Sequence, residues 1–273
     1  MTSAFALLGH PVSHSLSPRM FNALFARRGI DAHYRTIDVP PCEGEHLVRI
    51  FHEHALQGAN LTVPHKTAIL PLLSGLSTDA QRAGAVNVIV REGEALLGHN
   101  TDVQGFADSL LQPPGDTAVV LGAGGAARAI GCALMAAGVS RIYVLNRSSA
   151  RARSTALALA QLSTKVRVSA HELSLDSFNA LAPSATTVVN CTTAGAKACV
   201  DTFRPSLLPH NSQWIDINYW DDSPPAQKAC ADCDIPFQTG HSMLAHQGAR
   251  AFELFTDQAV TGAELLSILG STP

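Results

Sequence analysis

The chain has 273 residues, of which 46% are hydrophobic and 15% charged, with a formal net charge of −3. That length suits one or two domains with ample apolar surface to bury, and the composition is that of a globular protein rather than a disordered one. A negative balance without blocks of like charge argues against a nucleic-acid binder built on phosphate neutralisation. No apolar run is long enough to span a membrane, so no membrane partner is expected.

The first residues lack the basic start of a signal peptide and read as a strand over 5–8 ending at Gly9, so a cytoplasmic protein is expected. Ser17 and Pro18 then supply an N-cap and an N1 proline for a helix to about Arg28, stopped by Gly29. A second strand alternates over 33–38, and a helical pattern covers 43–54. An alternating strand over 58–63 follows, with short helices at 66–73 and 78–83. Val86 to Arg91 and Ala95 to Gly98 flank Glu92-Gly93-Glu94 as a hairpin. This half reads as α/β with a mixed sheet. Gln112-Pro113-Pro114-Gly115-Asp116 is the clearest breaker cluster and places a domain junction nearby.

Beyond it the pattern resets to strand, helix, strand: 117–121, 126–137 and 141–145, with a helix at 150–162. Further strands are expected at 166–168, 186–190, 213–217 and 235–238, and two helices close the chain, 241–255 and 262–269. Of the six cysteines (42, 132, 191, 199, 230 and 233), only Cys230 and Cys233 are spaced suggestively. Without a second pair or an activating environment they read as helix-surface or half-buried thiols, with no metal and no disulfide expected.

Gly122-Ala123-Gly124-Gly125-Ala126-Ala127 follows a strand and opens a helix, which makes the glycine pattern meaningful. Gly122 permits the tight turn, Gly124 lets a pyrophosphate approach the backbone, and Ala127 is the small residue where helix and strand pack. The N–H groups at the helix start suit phosphate oxygens. An NAD site expects an acid at the end of the second strand. Here Asn146, Arg147, Ser148 and Arg151 stand there, and guanidinium groups suit a 2′-phosphate, which points to NADP.

The first half carries a second constellation. Lys66 lies just past a strand end, behind Pro64, with Asn60 and Thr62 before it; Asn87 and the run Asn100-Thr101-Asp102 add polar groups. A carboxylate beside a lysine keeps the ammonium charged and oriented, the arrangement general acid–base catalysis uses. Taken singly, Asp102 could equally cap the helix that starts there. Ser13 and Ser15, one residue apart in the loop before the first helix, can face one anion. With Ser17 as the cap, both stay available to a ligand.

The motifs Ser13-x-Ser15-x-Ser17-Pro18, Asn60-x-Thr62-x-Pro64-x-Lys66, Gly84-Ala85-Val86-Asn87 and Asn100-Thr101-Asp102 resemble the substrate-domain signatures of the shikimate dehydrogenase family. The glycine loop through Arg128 resembles that family's NADP loop, and Asn146-Arg147 its 2′-phosphate clamp. Asp216-x-x-Tyr219 and Gly240-x-x-Met243-Leu244-x-x-Gln247 resemble its C-terminal signatures.

The resemblance implies an open α/β substrate-binding domain (1–102 and 239–273) and a Rossmann-type NADP-binding domain (103–238), with the C-terminal helices returning to the first. It implies reversible reduction of 3-dehydroshikimate to shikimate in aromatic amino-acid biosynthesis, by a monomer or homodimer with a small-molecule substrate. Ser13 and Ser15 would hold the substrate carboxylate, and Thr62, Asn87, Asp102 and Gln247 the ring hydroxyls. Lys66 with Asp102 would exchange the proton. Asn60 would support the strand end, Tyr219 would lie near the carboxylate or nicotinamide side, and Gly240 and Met243 would sit on the cofactor side.

The chain departs from the family at Val103, where glycine is usual, and at Trp220, where proline is usual. It departs again at Ala196, which replaces the methionine after Gly195, and at Gly248, where alanine is usual. Val103 adds bulk beside the proposed carboxylate. Relatives that use quinate often carry threonine at the second serine and an acid in place of the Asn-Arg pair, so Ser15 and Arg147 favour shikimate with NADP. Quinate or an aminated shikimate analogue as substrate, a non-catalytic metabolite binder, or another dinucleotide enzyme such as a glutamyl-tRNA reductase or folate dehydrogenase are the alternatives.

Overall fold

The computed structural model describes residues 2–193, 197–219, 221 and 223–270. They divide into two compact units, residues 1–105 with 242–273, and residues 106–241.

In the first unit the chain runs β1 (Ser3–Gly9), α1 (Ser17–Arg28), β2 (Ala32–Asp38), α2 (Gly44–Glu53), β3 (Leu56–Leu61), β4 (Gly75–Leu76), α3 (Thr78–Ala83), β5 (Val88–Glu92), β6 (Ala95–His99) and the start of α4 (Asp102–Ser109). The sheet order is β2-β1-β3-β5-β6-β4. β1 is parallel to β2 and β3, whereas β5 is antiparallel to both β3 and β6. The ends of β1, β3 and β6 and the start of β5 therefore share one edge of the sheet. Polar segments leaving that edge converge, the usual place for a ligand in an open α/β sheet. Leu47 and Phe51 of α2 pack on Leu8, Leu61 and Ile89 to make the core.

The second unit continues with β7 (Thr117–Leu121), α5 (Gly125–Ala136), β8 (Arg141–Asn146), α6 (Ser149–Ala160), β9 (Arg167–Glu172), α7 (Leu175–Leu181), β10 (Thr187–Asn190), α8 (Lys197–Val200), β11 (Gln213–Asp216), α9 (Pro225–Ala231) and β12 (Phe237–Gln238). Its strand order is β12-β11-β10-β7-β8-β9, and all its pairs are parallel. The chain closes with α10 (Gly240–Thr256) and α11 (Gly262–Leu269). Parallel strands are buried on both faces, which is why β7 is buried throughout, apolar from Ala118 on, and legible as Thr117–Leu121.

Several boundaries differ from the sequence reading. The helix expected at 66–73 is only a 3-10 turn, Leu70–Leu72, because Pro71 has no N–H to donate to the preceding turn. Ser17 is the first helical residue of α1 rather than its cap. Leu16 occupies the cap position, and the Ser15 hydroxyl accepts from the Ser17 N–H at 3.2 Å. The strand expected at 235–238 is reduced to Phe237–Gln238, since Pro236 lacks a ladder donor. Cys230 is fully buried in the core rather than on a helix surface, and burial pushes its thiol up to about 12. α7 and α9 lie where no helix was expected.

Candidate functional site

The turn after β3 is pinned from several sides. His10 N–H donates to the Val63 carbonyl at 2.8 Å, Val86 N–H to the Lys66 carbonyl at 2.7 Å, and the buried His65 ring donates Nε2–H to the Val39 carbonyl at 2.8 Å. Lysine 66 therefore leaves a fixed backbone. Its Nζ lies 2.5 Å from Asp102 Oδ2, and both side chains are largely shielded from water. Asn87 Nδ2 donates to Asp102 Oδ1 at 2.9 Å and to Thr101 Oγ1 at 2.9 Å, and it reaches Gln247 Oε1 at 3.3 Å. Thr101 N–H returns a bond to Asn87 Oδ1 at 2.7 Å.

Asp102 is not the cap of α4. Asn100 Oδ1 accepts from Val103 N–H at 3.3 Å, which leaves both Asp102 oxygens for Lys66 and Asn87. Val103 is buried in the first turn of α4 and leaves the ion pair formed. The network thus gathers Lys66, Asn87, Asp102 and Gln247. Asn60 borders it: Asn60 Nδ2 donates to the Asn87 carbonyl at 3.4 Å, and Tyr34 Oη–H donates to Asn60 Oδ1 at 2.7 Å. Among the described residues no hydrogen bond joins Ser13, Ser15 or Thr62 to this network. Ser13 is exposed in the loop after β1, and Thr62 N–H is tied to the Leu8 carbonyl at 2.9 Å.

Two partners had no assigned role in the sequence reading, Thr101 and Tyr34. Thr101 sits inside a motif already singled out. Tyr34 lies in a strand of mixed character, Ala32–Asp38, with no motif to signal it.

In the second unit, Gly122 has φ +108, and a Cβ there would meet the Cys191 carbonyl oxygen at 2.9 Å, so only glycine fits the turn. A Cβ on Gly124 would meet nothing within 4 Å, and no side chain caps α5. Backbone N–H groups at a helix start, beside open space, suit a pyrophosphate. Ala123 offers its carbonyl to Thr155 Oγ1–H at 3.1 Å, and Ala127 is buried against the sheet beside Gly125 and Ala126. At the end of β8, Asn146 Nδ2 donates to the Ser148 carbonyl at 3.1 Å, and Ser148 Oγ caps α6 through Arg151 N–H. Arg147 and Arg151 are exposed there, and no acid stands at the strand end. This donor set fits a dinucleotide with a 2′-phosphate.

The buried Asp216 ends β11, accepting from Asn190 Nδ2 at 2.9 Å and from Asn218 N–H at 2.9 Å. Tyr219 follows, half-buried, its ring centroid 6.1 Å from that of His241. A side chain at Gly240 would overlap the Ile217 carbonyl, and Met243 is buried in α10. The departures at Ala196 and Trp220, and Gly195, lie outside the described residues.

Three family models match the chain. They are the shikimate dehydrogenase substrate binding domain over residues 7–89, shikimate/quinate 5-dehydrogenase over 107–207, and the shikimate 5′-dehydrogenase C-terminal domain over 240–260. A shikimate dehydrogenase (NADP(+)) from Moorella thermoacetica is 39% identical, the alignment covering 98% of this chain and 92% of that one. The chain belongs to the shikimate dehydrogenase family. Among solved members of the family's fold, the Thermus thermophilus shikimate 5-dehydrogenase in complex with NADP(H) and shikimate has a TM-score of 0.80 at 32% identity, covering 97% of this chain and 98% of that one. The quinate dehydrogenase of Corynebacterium glutamicum in complex with NAD has a TM-score of 0.86 at 28% identity, covering 99% of both chains. Shikimate dehydrogenase family members thus match both units, and the α/β fold with its Rossmann-type unit is theirs.

Proposed function

We propose that the chain is an NADP-dependent oxidoreductase that interconverts 3-dehydroshikimate and shikimate. The observation that carries this reading is the shielded Lys66–Asp102 pair, 2.5 Å long and braced by Asn87, in a member of this family. Residues 1–105 with 242–273 serve as the substrate-binding part, and 106–241 as the cofactor-binding part.

When bound, NADPH supplies the hydride that reduces the ring carbonyl carbon. As that bond forms, the carbonyl π pair moves to oxygen, and Lys66 gives that oxygen a proton; in oxidation Lys66 takes it back. Asp102 accepts from the ammonium and keeps it aimed, while Asn87 holds the other carboxylate oxygen. Ser13 and Ser15 hydroxyls bind the substrate carboxylate; the Ser15 oxygen accepts from Ser17 N–H but its own hydrogen remains to donate. Thr62, Asn87, Asp102 and Gln247 read the ring hydroxyls, and Tyr219 flanks the carboxylate or nicotinamide side. Backbone N–H groups of the 122–127 loop hold the pyrophosphate. Asn146, Arg147, Ser148 and Arg151 hold the 2′-phosphate, and Gly240 and Met243 line the cofactor side. No helix among the described residues is long and apolar enough to cross a membrane, consistent with work in the cytoplasm.

The test is NADP+ reduction with shikimate and quinate in parallel. Turnover with shikimate, and much less with quinate, is expected. Quinate as the better substrate would replace the reading by its quinate counterpart. No turnover with either, together with a thermal shift by shikimate, would make the chain a binder instead.

A further inference from the structure

We propose that Gly105 is a positioning residue of the substrate pocket: its bare Cα lets α10 lie on α4 where Gln247 reaches Asn87 and Thr101. This rests on the function proposed above. A Cβ at 105 would fall 2.5 Å from Gln247 Cβ and 2.7 Å from both its Cα and its N. Those last two are backbone atoms of a helix, so they cannot swing aside. Two other close approaches to α10 meet a softer obstacle, whereas a side chain on Gly240, at its first turn, would meet the Ile217 carbonyl. Side chains at Gly58 and Gly262 would meet the rings of Phe255 and His246, which can turn. At residue 105 one methyl group therefore moves the helix itself where it carries Gln247.

The network determines what breaks first. The Asn87 amide has two hydrogens but faces three acceptors, and the Gln247 oxygen is the most distant at 3.3 Å, against 2.9 Å for Asp102 and for Thr101. Thr101 Oγ1–H reaches the same Gln247 oxygen only at 3.5 Å. Gln247 Nε2 donates to the Leu244 carbonyl at 2.9 Å, so its amide travels with α10. A small retreat of α10 withdraws Gln247 while the Lys66–Asp102 and Asn87–Asp102 contacts persist. The bulk at residue 105 thus governs how the ring is held, not the proton transfer.

Gly105→Ala should raise the shikimate KM by about ten-fold, with kcat within about three-fold and the NADP+ KM unchanged. In a Gln247→Ala background it should add nothing further, because the group it displaces is already gone. Gly248→Ala is the control: its methyl meets Leu265 and Met20 at an ordinary 3.4 Å, and all three constants should stay at wild-type values. A folded Gly105→Ala protein with unchanged shikimate KM overturns the proposal, as does an undiminished effect in the Gln247→Ala background.

Should Gly105→Ala not fold, Gln247→Asn withdraws the amide by one methylene with the crossing intact. It should reproduce the KM rise, and wild-type KM there overturns the proposal too. A wild type that fails to turn over shikimate counts against the proposed function alone. The crossing is then read from the Gln247 side-chain amide resonances, which Gly105→Ala should shift and Gly248→Ala leave in place; unshifted resonances in Gly105→Ala overturn it.

Discussion

Among the described residues, each unit buries one aspartate at or just past a strand end, and the two are held in opposite ways. Asp102, 4% exposed, meets the Lys66 ammonium and one amide donor. Asp216, 6% exposed, accepts from the Asn190 amide and from Asn218, and among the described residues no salt bridge to a cation is formed with it. Burial pushes the Asp216 carboxyl above the usual aspartate range, and its hydrogen bonds pull it partly back. A buried carboxylate with a cation is a charged tool; one held by amides alone ties loop ends together. The difference separates the proposed proton-transfer pair of the first unit from a loop tie in the second.

The sharpest way to break the comparison is to remove the cation. Lys66→Met should lower kcat by roughly a thousand-fold if the ammonium is the proton donor. It also leaves Asp102 buried and unpaired, a loss on the order of 3–5 kcal/mol of stability. Asp102→Asn in the same background should recover most of that stability but none of the turnover. Calorimetry and steady-state rates on both variants check it, and a Lys66→Met enzyme of near-normal kcat rejects the lysine's role.

The second unit is expected to fail differently, through the cofactor. Arg147→Ala should raise the NADP+ KM by about ten- to a hundred-fold while changing NAD+ use little, because it removes a charged partner of the 2′-phosphate alone. Equal losses with both dinucleotides would show that Arg147 supports the fold instead.

A smaller effect tests whether Val103 harms the first unit's pair. The side chain is buried, and its N–H is bonded to Asn100. Val103→Gly should cost roughly 1–3 kcal/mol through lost burial and helix propensity, without raising kcat. A gain in turnover measured under saturating substrate would instead show that the valine obstructs the site.

Both carboxylates were open to reading in the sequence, but not equally. Asp102 stood in a polar run after a hairpin, and a lysine past a strand end supplied its complement, so the pair was visible as chemistry. The parallel strands of the second unit were visible because burial on both faces leaves an apolar run such as Ala118–Leu121. What stayed hidden depends on which of two local bonds wins. Whether Ser15 or Ser17 serves the start of α1, or Asn100 or Asp102 the start of α4, is decided by φ and ψ at the turn rather than by residue type. Gly105 was equally silent: a glycine inside a helix looks like a propensity defect until the partner helix is seen against it.

The finest test of the comparison is the pH dependence of Asp216. Its folded carboxyl titrates above the unfolded value of about 3.9, so the folded state holds the proton more tightly. Stability from this group is fully present below the unfolded pKa and is lost as pH rises through the raised folded value. Asp216→Asn removes that titration. It also leaves a donor such as Asn190 Nδ2–H or Asn218 N–H facing an amide nitrogen, which opposes the gain from removing a buried charge. The net change at neutral pH should therefore stay within about 1 kcal/mol. The difference, variant minus wild type, should climb from pH 3 to the raised pKa and then level, since carboxylates not coupled to Asp216 cancel in the subtraction. Denaturant unfolding of both proteins at matched pH measures it. A flat difference across that window would mean that the amide donors fully offset the effect of burial on Asp216, and the contrast between the two units would be one of partners only.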